Sequence, residues 1–282
     1  MMRFLSPAKI NLHLRVGPLA PDGFHPLLTW MCTIGLYDTI EMTASETPEI
    51  HLTCDRPDVP VDESNLILRA ARALNPTRGA DISLQKKIPL GGGLGGGSSN
   101  AASALIGFNQ LWNLNLSTEE LTKIASHLGS DVPFFLHGPS SICTGRGQHV
   151  TPIPRPTAKQ AVLFFPNLSM STPAVYQKFD EMKLGSDAAI HHQPNWQAWS
   201  KLGAIDLLEV LINDLEPPAF SLCPELADLR TRIEQKIGQP VRMSGSGSTL
   251  FTLTDHRHDA ERIATETNLA SIPTDVFELA PT

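Results

Sequence analysis

The sequence predicts an α+β protein built in two parts. Segments with the period-2 alternation of strands and segments with the 3.6-residue period of helices follow one another without a regular β-α-β order or an internal repeat. The length of 282 residues suits one large domain or two intimate ones. A proline-rich stretch at 152–159 marks the expected boundary, which divides the chain into domains 1–155 and 156–282.

The first strand is predicted at residues 9–16, KINLHLRV. Apolar side chains occupy its even positions and polar side chains its odd ones, beginning with Lys9 and Asn11. A strand with this pattern has one dry face and one polar face. A turn at 21–23 follows, and three further strand-like stretches predict an antiparallel meander: 28–34, 38–43 and 50–53.

Capping signals define the predicted helices of the first part. Ser117 with Glu120 is a capping box, and Gly129 is a natural end for the helix that it opens. Ser64 can cap another helix that runs through Leu74. The other predicted elements of this part are a strand at 81–85, an apolar helix at 101–113 and a strand near 140–144.

The second part is predicted to mix helices and strands in the same way. Thr172 as N-cap, with Pro173 at the first helical position, opens one helix, and Gly238 closes a later one. The predicted helices lie near 173–182, 196–212, 224–237 and 256–267. The predicted strands are 161–165, 241–243, 249–253 and 275–279.

Composition and charge exclude several classes of partner. The chain carries 22 Lys plus Arg against 29 Asp plus Glu, and this net charge of −7 argues against nucleic acid or an acidic membrane as the main partner. No run approaches the roughly 20 apolar residues of a membrane span. The four cysteines lie far apart without a Cys-x-x-Cys pair, as is typical of reduced thiols, so we expect a cytoplasmic protein. The pairs His191-His192 and His256-x-His258 lack a third ligand and are interpreted as solvated.

The sharpest chemical signal is the glycine segment GGGLGGGSSN at 91–100. Six of its first seven residues are glycine, two serines follow, and a helix is predicted directly after them. Glycine lets backbone approach a ligand closely, and the amide groups at a helix N-terminus bind anions, so polyphosphate is the expected guest. The segment is not a Walker A loop, because no Gly-Lys-Ser/Thr follows, and it lacks the spacing of a dinucleotide fingerprint. A flexible linker, the alternative, would not run straight into an apolar helix.

A second glycine loop occurs in MSGSGSTLF at 243–251. Its centre is Ser244, Gly245, Ser246 and Gly247, with an apolar strand on each side. On its own it could be an ordinary hairpin turn. Beside the first loop, it is interpreted as a second wall of a nucleotide pocket.

Four motifs, in this order, resemble those of the GHMP kinase superfamily, which transfers phosphoryl from ATP to small alcohols. They are SPAKINLHL at 6–14, PLGGGLGGGSSNAA at 89–102, GSDVPFFL at 129–136 and MSGSGSTLF at 243–251. Matches at DGFH 22–25, SNLILRAA 64–71, STPAVY 171–176 and NDLE 213–216 extend the resemblance over most of the chain. PAKINL with DGFH indicates the branch whose acceptor is a cytidine diphosphate sugar alcohol of non-mevalonate isoprenoid biosynthesis.

The resemblance implies a fold and a set of ligands. The expected fold has a ribosomal-protein-S5-like N-terminal domain and a ferredoxin-like C-terminal domain, with the active site in the cleft between them. ATP is the implied co-substrate. Mg²⁺ is implied by the reaction and would enter with ATP, because the sequence shows no carboxylate cluster of metal spacing.

The resemblance also implies roles for single residues. Asp131 matches the general base, and Lys9 matches the cation beside it, which lowers the cost of charge on the acceptor oxygen. Asn11 follows Lys9 by two residues, so both side chains lie on the same strand face. The other implied acceptor-binding residues are Phe24 and Tyr176, which stack on cytosine, His25, which bonds its edge, and Thr172. Phe24 stands where relatives usually carry Tyr, so a hydroxyl is missing there.

The positions that match the ATP site lie in two segments. They are Asn65 and Leu66, and then Pro89, Leu90, Gly91, Gly92, Gly93, Leu94, Gly95, Gly96, Gly97, Ser98 and Ser99. Two alternatives stay open at this point. One is another GHMP kinase that acts on homoserine, mevalonate or a sugar. The other is a non-catalytic nucleotide-binding protein, against which the presence of Lys9, Asn11 and Asp131 argues.

Overall fold

Ten strands and eleven helices form within residues 1–74, 78–269 and 271–281, the part of the chain that the computed structural model describes. The strands are β1 (Met2–Val16), β2 (Leu27–Ser45), β3 (Ile50–Cys54), β4 (Gly79–Gln85), β5 (Ser140–Gly145), β6 (His149–Pro152), β7 (Gln160–Phe164), β8 (Arg242–Met243), β9 (Leu250–Thr254) and β10 (Thr274–Glu278). The helices are α1 (Leu66–Ala73), α2 (Gly96–Leu111), α3 (Thr118–Leu128), α4 (Phe134–His137), α5 (Thr172–Glu181), α6 (Asp187–His191), α7 (Trp196–Trp199), α8 (Ala204–Val210), α9 (Glu216–Leu222), α10 (Pro224–Ile237) and α11 (Arg257–Leu269). The predicted α+β class is confirmed.

The chain divides into two compact units that interleave along the sequence. Unit 1 comprises Met1–Ala8, Leu36–Pro89 and Gly95–Gly138, and unit 2 comprises Lys9–Gly35, Leu90–Leu94 and Pro139–Thr282. The boundary expected near residue 155 divides the sequence only once, and it stays a prediction. The glycine segment contributes residues to both units.

Unit 1 contains a β-α-β arrangement. β3 lies parallel to β4, and the chain between them passes through α1, as a parallel pair requires. β4 also pairs antiparallel with the end of β2. The predicted antiparallel meander is therefore wrong: stretches 28–34 and 38–43 belong to one strand of 19 residues, and 50–53 pairs with β4. Alternation identifies a strand, but it does not identify its partner.

Side-chain caps fix the start of two helices in unit 1, α1 and α3. Ser117 and Glu120 form the predicted capping box of α3, and Gly129 follows its last residue. Asn65, one residue later than the predicted Ser64, caps α1 by accepting a hydrogen bond from the Ile67 amide at 2.9 Å. α2 begins at Gly96, five residues before the predicted start, so the last glycines of the segment belong to its first turn. Apolar side chains of α1 and α2, including Ile67, Leu105 and Phe108, build the core of this unit.

Unit 2 contains a four-stranded antiparallel sheet in the order β10-β7-β9-β8. Along the chain, the helices α5 to α10 separate β7 from β8, and α11 separates β9 from β10. This is the β-α-β-β-α-β pattern of ferredoxin-like folds, so that prediction is confirmed. In the same unit, the beginning of β2 pairs with β5, and β5 pairs with β6.

Two predicted helices of unit 2 differ from the structure at their ends or middle. The stretch 196–212 divides into α7 and α8, because Gly203 caps α8 and the Ala204 amide donates to the Asp255 carboxylate at 3.0 Å. α5 begins at Thr172 with Ser171 as its N-cap, so Thr172 is the first helical residue. α10 matches its prediction and ends at Gly238, whose φ of 70° suits glycine.

The polar face expected for the first strand is buried. Lys9, Asn11 and His13 are only 4%, 5% and 3% exposed. The predicted alternation of apolar and polar side chains is present, and both faces of β1 are covered at these positions. Buried polar groups need hydrogen-bond partners, and these define the candidate site. Across the described residues, no helix combines the length and apolar character that crossing a bilayer requires.

Candidate active site

Lys9 and Asn11 form a hydrogen-bonded pair in unit 2. The Lys9 ammonium donates to Asn11 Oδ1 at 2.6 Å and to the Gly93 carbonyl at 3.0 Å. Asn11 Nδ2 donates to Thr29 Oγ1 at 2.9 Å, which fixes the orientation of the amide and turns its oxygen toward Lys9. Thr29 was not anticipated from the sequence, because nothing in its spacing marks it as a partner of Asn11. The arrangement places a positive charge directly beside the first glycine loop.

The two glycine loops are adjacent at this pair. Ser244 Oγ donates to the Gly93 carbonyl at 3.0 Å and accepts from the Asn11 amide at 3.2 Å. A Cβ at Gly93 would collide with the Ser244 carbonyl, and φ there is +76°, so only glycine suits this position. A Cβ at Gly245 would lie 3.2 Å from Asn11 Oδ1. The loops approach each other closely because these residues carry no side chain.

Asn213 holds the second loop in place. Its Nδ2 donates to the carbonyls of Met243 and Gly245, both at 2.8 Å, and its Oδ1 accepts from the Leu215 amide at 2.9 Å. The side chain is thus fully engaged, and Asn213 is 4% exposed. Glu216 supports β8, the strand that precedes this loop, because its carboxylate accepts a hydrogen bond from the Met243 amide at 2.8 Å. Burial raises the pKa of Glu216. The NDLE match contained both residues, but it assigned them no role.

His13 shares the polar face of β1 with Lys9 and Asn11. Its ring is packed edge-on against Trp196 and Trp199, at centroid distances of 5.8 and 5.3 Å. Burial, together with the positive charge of Arg15, lowers the pKa of His13 to about 3. The ring is therefore neutral at pH 7, and its Nδ1 accepts from the Ile212 amide at 3.2 Å.

The later glycines and the two serines lie in unit 1. Gly95, with φ of 69°, is the N-cap of α2, and Gly97 in the first turn is exposed. The first amides of a helix have no partner within it and attract anions. Ser98 is half-buried. Ser99 is fully buried, and its Oγ has no hydrogen-bond partner among the described residues. A buried hydroxyl without a partner beside several helix-terminal amides fits a polyphosphate ligand.

The other residues predicted for ATP lie around this turn. A Cβ at Gly97 would have only the Leu66 side chain nearby, at 3.9 Å, which places Leu66 next to the first turn of α2. Asn65 is occupied as the cap of α1, and its Nδ2 donates to the Pro60 carbonyl at 2.6 Å. Pro89 is half-buried, and the Leu90 side chain is 48% exposed.

Asp131 lies half-buried in the turn between α3 and α4. The Val132 amide donates to the Gly129 carbonyl at 3.2 Å and closes the turn. Val132 and Phe134, on the C-terminal side of Asp131, are completely buried. The carboxylate is therefore attached to a backbone that the core of unit 1 holds in place.

His25 and Tyr176, predicted to bind the acceptor, are neighbours in unit 2. Their ring centroids are 5.2 Å apart with a tilt of 33°. His25 Nδ1 contacts the Gly17 carbonyl at 2.9 Å. Since a carbonyl only accepts, Nδ1 carries a hydrogen in this contact. Nε2 lies 3.5 Å from the Asp180 carboxylate.

Phe24 and Thr172 complete the predicted acceptor residues. Phe24 is 49% exposed, and the Arg146 guanidinium lies 3.9 Å from its ring centre. Arg146 is held there by Asp22, with Nε to Oδ2 at 3.1 Å. Thr172 Oγ1 is 2.7 Å from Ser246 Oγ, which links the start of α5 to the second glycine loop.

No cluster of three or more His, Cys, Asp or Glu side chains suited to a metal ion occurs in the described parts of the chain. His191 and His192 are exposed at the end of α6. Ser98 and Ser99 carry the side-chain hydroxyls in the first turn of α2.

Comparison with known proteins gives a consistent result. The family model described as GHMP kinases N terminal domain matches residues 65–139, and the one described as GHMP kinases C terminal matches residues 194–268. A 4-diphosphocytidyl-2-C-methyl-D-erythritol kinase of Salinispora arenicola is 41% identical over 274 residues, which cover 92% of this chain and 85% of the relative. The enzyme of the same name from a Synechococcus species is 38% identical, with 96% and 95% coverage. The crystal structure of a 4-(cytidine 5'-diphospho)-2C-methyl-D-erythritol kinase superposes with a TM-score of 0.80 at 34% identity and covers both chains completely.

Proposed function

Since the chain belongs to the 4-diphosphocytidyl-2-C-methyl-D-erythritol kinase family of the GHMP kinases, we propose that Lys9, Asp131 and the two glycine loops perform the reaction of that family. The reaction is the ATP-dependent phosphorylation of the 2-hydroxyl of 4-diphosphocytidyl-2-C-methyl-D-erythritol, which gives the 2-phosphate and ADP in non-mevalonate isoprenoid biosynthesis. The observation that carries the assignment is the family relationship over nearly the whole chain. The polar cluster of Lys9, Asn11, Gly93 and Ser244 supports it from the structure.

The proposed chemistry is a direct transfer of the γ-phosphoryl group. Asp131 accepts the proton of the acceptor hydroxyl, the oxygen forms a bond to the γ-phosphorus, and the bond from that phosphorus to the bridging oxygen breaks to release ADP. Lys9 stabilises negative charge that develops on the reacting oxygens. Asn11 acts on Lys9 through the 2.6 Å hydrogen bond and keeps the ammonium oriented.

The proposed ATP phosphates bind at the first turn of α2. The amides that follow Gly95 and the hydroxyls of Ser98 and Ser99 are the donors available there. Mg²⁺ bound with ATP would neutralise phosphate charge, and the hydroxyls of Ser98 and Ser99 would contribute to holding it. Local dipoles and cations must therefore outweigh the net charge of −7.

The proposed cytidine site is formed by His25, Phe24 and Tyr176. His25 contacts the edge of cytosine through Nε2, because Nδ1 already donates to Gly17. Phe24 and Tyr176 offer ring faces to the base. Thr172, at the first position of α5, contributes a hydroxyl beside the second loop. With both substrates small molecules and ATP as donor, we also place the reaction in the cytoplasm.

The test of this function is an ADP-release assay with a panel of acceptors. We expect turnover with 4-diphosphocytidyl-2-C-methyl-D-erythritol and only the acceptor-free background with homoserine, mevalonate and simple sugars. Turnover of one of those alcohols, with none of the cytidine substrate, would instead support another GHMP kinase. ATP binding without ADP release from any acceptor would support a non-catalytic nucleotide-binding protein.

Gly97→Val tests the phosphate-binding turn. The new side chain has room within the protein, since its Cβ meets only Leu66 at 3.9 Å, but it projects from the turn where phosphate is proposed to bind. We expect the KM for ATP to rise about tenfold or more, equivalent to about 1.4 kcal/mol, while the KM for the acceptor and the melting temperature hardly change. Gly203→Ala, at the cap of α8, is the matched control. An unchanged KM for ATP in Gly97→Val would contradict the placement of ATP at this turn.

A further inference from the structure

A buried ion pair lies beneath the phosphate-binding turn in unit 1. Lys86 Nζ is 2.5 Å from Asp38 Oδ2, and the two side chains are 2% and 0% exposed. Asn100 of α2 completes a triangle: its Nδ2 donates to Asp38 Oδ2 at 2.9 Å, and its Oδ1 accepts from Lys86 Nζ at 3.1 Å. We call these three residues the anchor network. None of them was anticipated as functional from the sequence.

The anchor network holds the chain on both sides of the glycine segment. Asp38 Oδ1 accepts from the backbone amides of Lys87 and Ile88, at 2.8 and 2.9 Å. These two residues directly precede the predicted ATP-binding segment, whereas Asn100 directly follows it. One carboxylate therefore binds the backbone that enters the segment and the helix that leaves it.

The Lys86 ammonium also contacts the turn itself. A Cβ at Gly96 would lie 3.1 Å from Lys86 Nζ and 3.0 Å from Ile88 Cγ2, so the side chains of Lys86 and Ile88 lie directly against the backbone of the first turn of α2. The absence of a side chain at Gly96 makes this close approach possible.

The energetics of the pair argue for a role beyond stability. Two charges taken out of water lose more solvation than their attraction returns in many proteins, and an apolar pair of similar volume often serves as well. A cation near a helix N-terminus is further disfavoured by the helix dipole, which Asp38 must offset. The hydrogen bonds of the anchor network, in contrast, fix the positions of two backbone amides, those of Lys87 and Ile88, and of the Asn100 side chain.

We propose that Asp38, Lys86 and Asn100 are positioning residues for ATP. They fix the backbone from Gly95 to Ser99 so that its amides are presented to the phosphates before ATP binds. The inference rests on the proposed function, because it requires that this turn binds ATP. The three residues act on the backbone of the turn, and the proposal requires no contact between them and ATP.

The test compares single variants with an apolar replacement of the pair. Asp38→Leu or Lys86→Met alone leaves a buried charge without its partner and should lower the melting temperature strongly. In Asp38→Leu/Lys86→Met the melting temperature should recover the part of that loss that comes from the unpaired charge, although the Lys87 and Ile88 amides still lack their acceptor. We expect the KM for ATP to stay raised about tenfold or more in the double variant, with the KM for the cytidine acceptor within about twofold of wild type. Recovery of stability and of the KM for ATP together would overturn the proposal, since it would show a purely structural role.

A milder variant keeps the test valid if the charge variants do not fold. Asn100→Ala leaves the Asp38–Lys86 pair intact and removes only the bonds from α2. We expect it to raise the KM for ATP about threefold or more and to leave the KM for the acceptor unchanged; equal changes in both KM values, or none, would contradict the proposal.

Lys123→Met is the control, because it breaks an exposed ion pair with Glu119 in the same unit. If Gly97→Val raises the KM for ATP and the anchor variants do not, this inference fails alone; if Gly97→Val has no effect either, the proposed ATP site fails.

Discussion

Asp131→Asn is expected to lower kcat by about 10² or more while ATP binding stays nearly intact. Asn has almost the same shape as Asp, but its amide cannot take up the proton that the acceptor hydroxyl loses. The substitution also suits the local structure, because Asp131 is half-buried in a turn that the Gly129–Val132 backbone bond closes. The measurement is steady-state kcat for the cytidine substrate together with ATP affinity by calorimetry.

The control for this variant is Asp228→Asn. Asp228 is exposed on α10, far along the chain from the motif of Asp131, and its loss should leave kcat unchanged. A wild-type kcat in Asp131→Asn would remove Asp131 from the mechanism. A loss of ATP affinity that parallels the loss of kcat would show that the carboxylate supports binding and would contradict its role as general base.

Lys9→Met should lower kcat by about 10² to 10³, the size found when one preorganised donor to a developing charge is removed. Methionine fills most of the volume of the lysine chain but carries no charge and no donor. Asn11 Oδ1 loses its 2.6 Å bond, whereas the Gly93 carbonyl keeps the one from Ser244. One orphaned acceptor costs about 1–3 kcal/mol of stability, so kcat must be measured below the melting transition of the variant.

Lys201→Met provides the comparison for Lys9, since Lys201 is an exposed lysine of the same unit. Its kcat and melting temperature should match wild type. A folded Lys9→Met enzyme with wild-type kcat would show that the ammonium is structural. A rise in KM without a change in kcat would assign Lys9 to ground-state binding.

Local features of the fold could be predicted from the sequence. The capping box at Ser117 and the terminal Gly238 act within a few residues, and both predictions are confirmed. The burial of the polar face of β1 could not be predicted, because alternation identifies the two faces of a strand but not what covers the polar one. The division of the helix at Gly203 depends on Asp255, a partner more than fifty residues away.

The candidate site shows the same limit. The glycine segment and the second loop were visible because glycine runs are unusual, and the structure places them side by side at Gly93 and Ser244. The supports of the site were missed. Asn213 and the anchor network act through long-range hydrogen bonds, such as that from Lys86 to Asp38, which no local spacing encodes.

The alternation of side chains along β1 makes the candidate site sensitive to the insertion or deletion of a single residue. Each odd residue from Lys9 to Arg15 binds a different part of unit 2: the Gly93 carbonyl, Thr29, the Ile212 amide and Asp214. Because side chains alternate between the faces of a strand, one inserted residue would turn all four side chains to the opposite face. Two inserted residues would return the side chains to their face but displace them along the strand. All four contacts therefore depend on one register of β1. Single-residue insertions or deletions just ahead of Lys9 should be absent from functional variants of this chain.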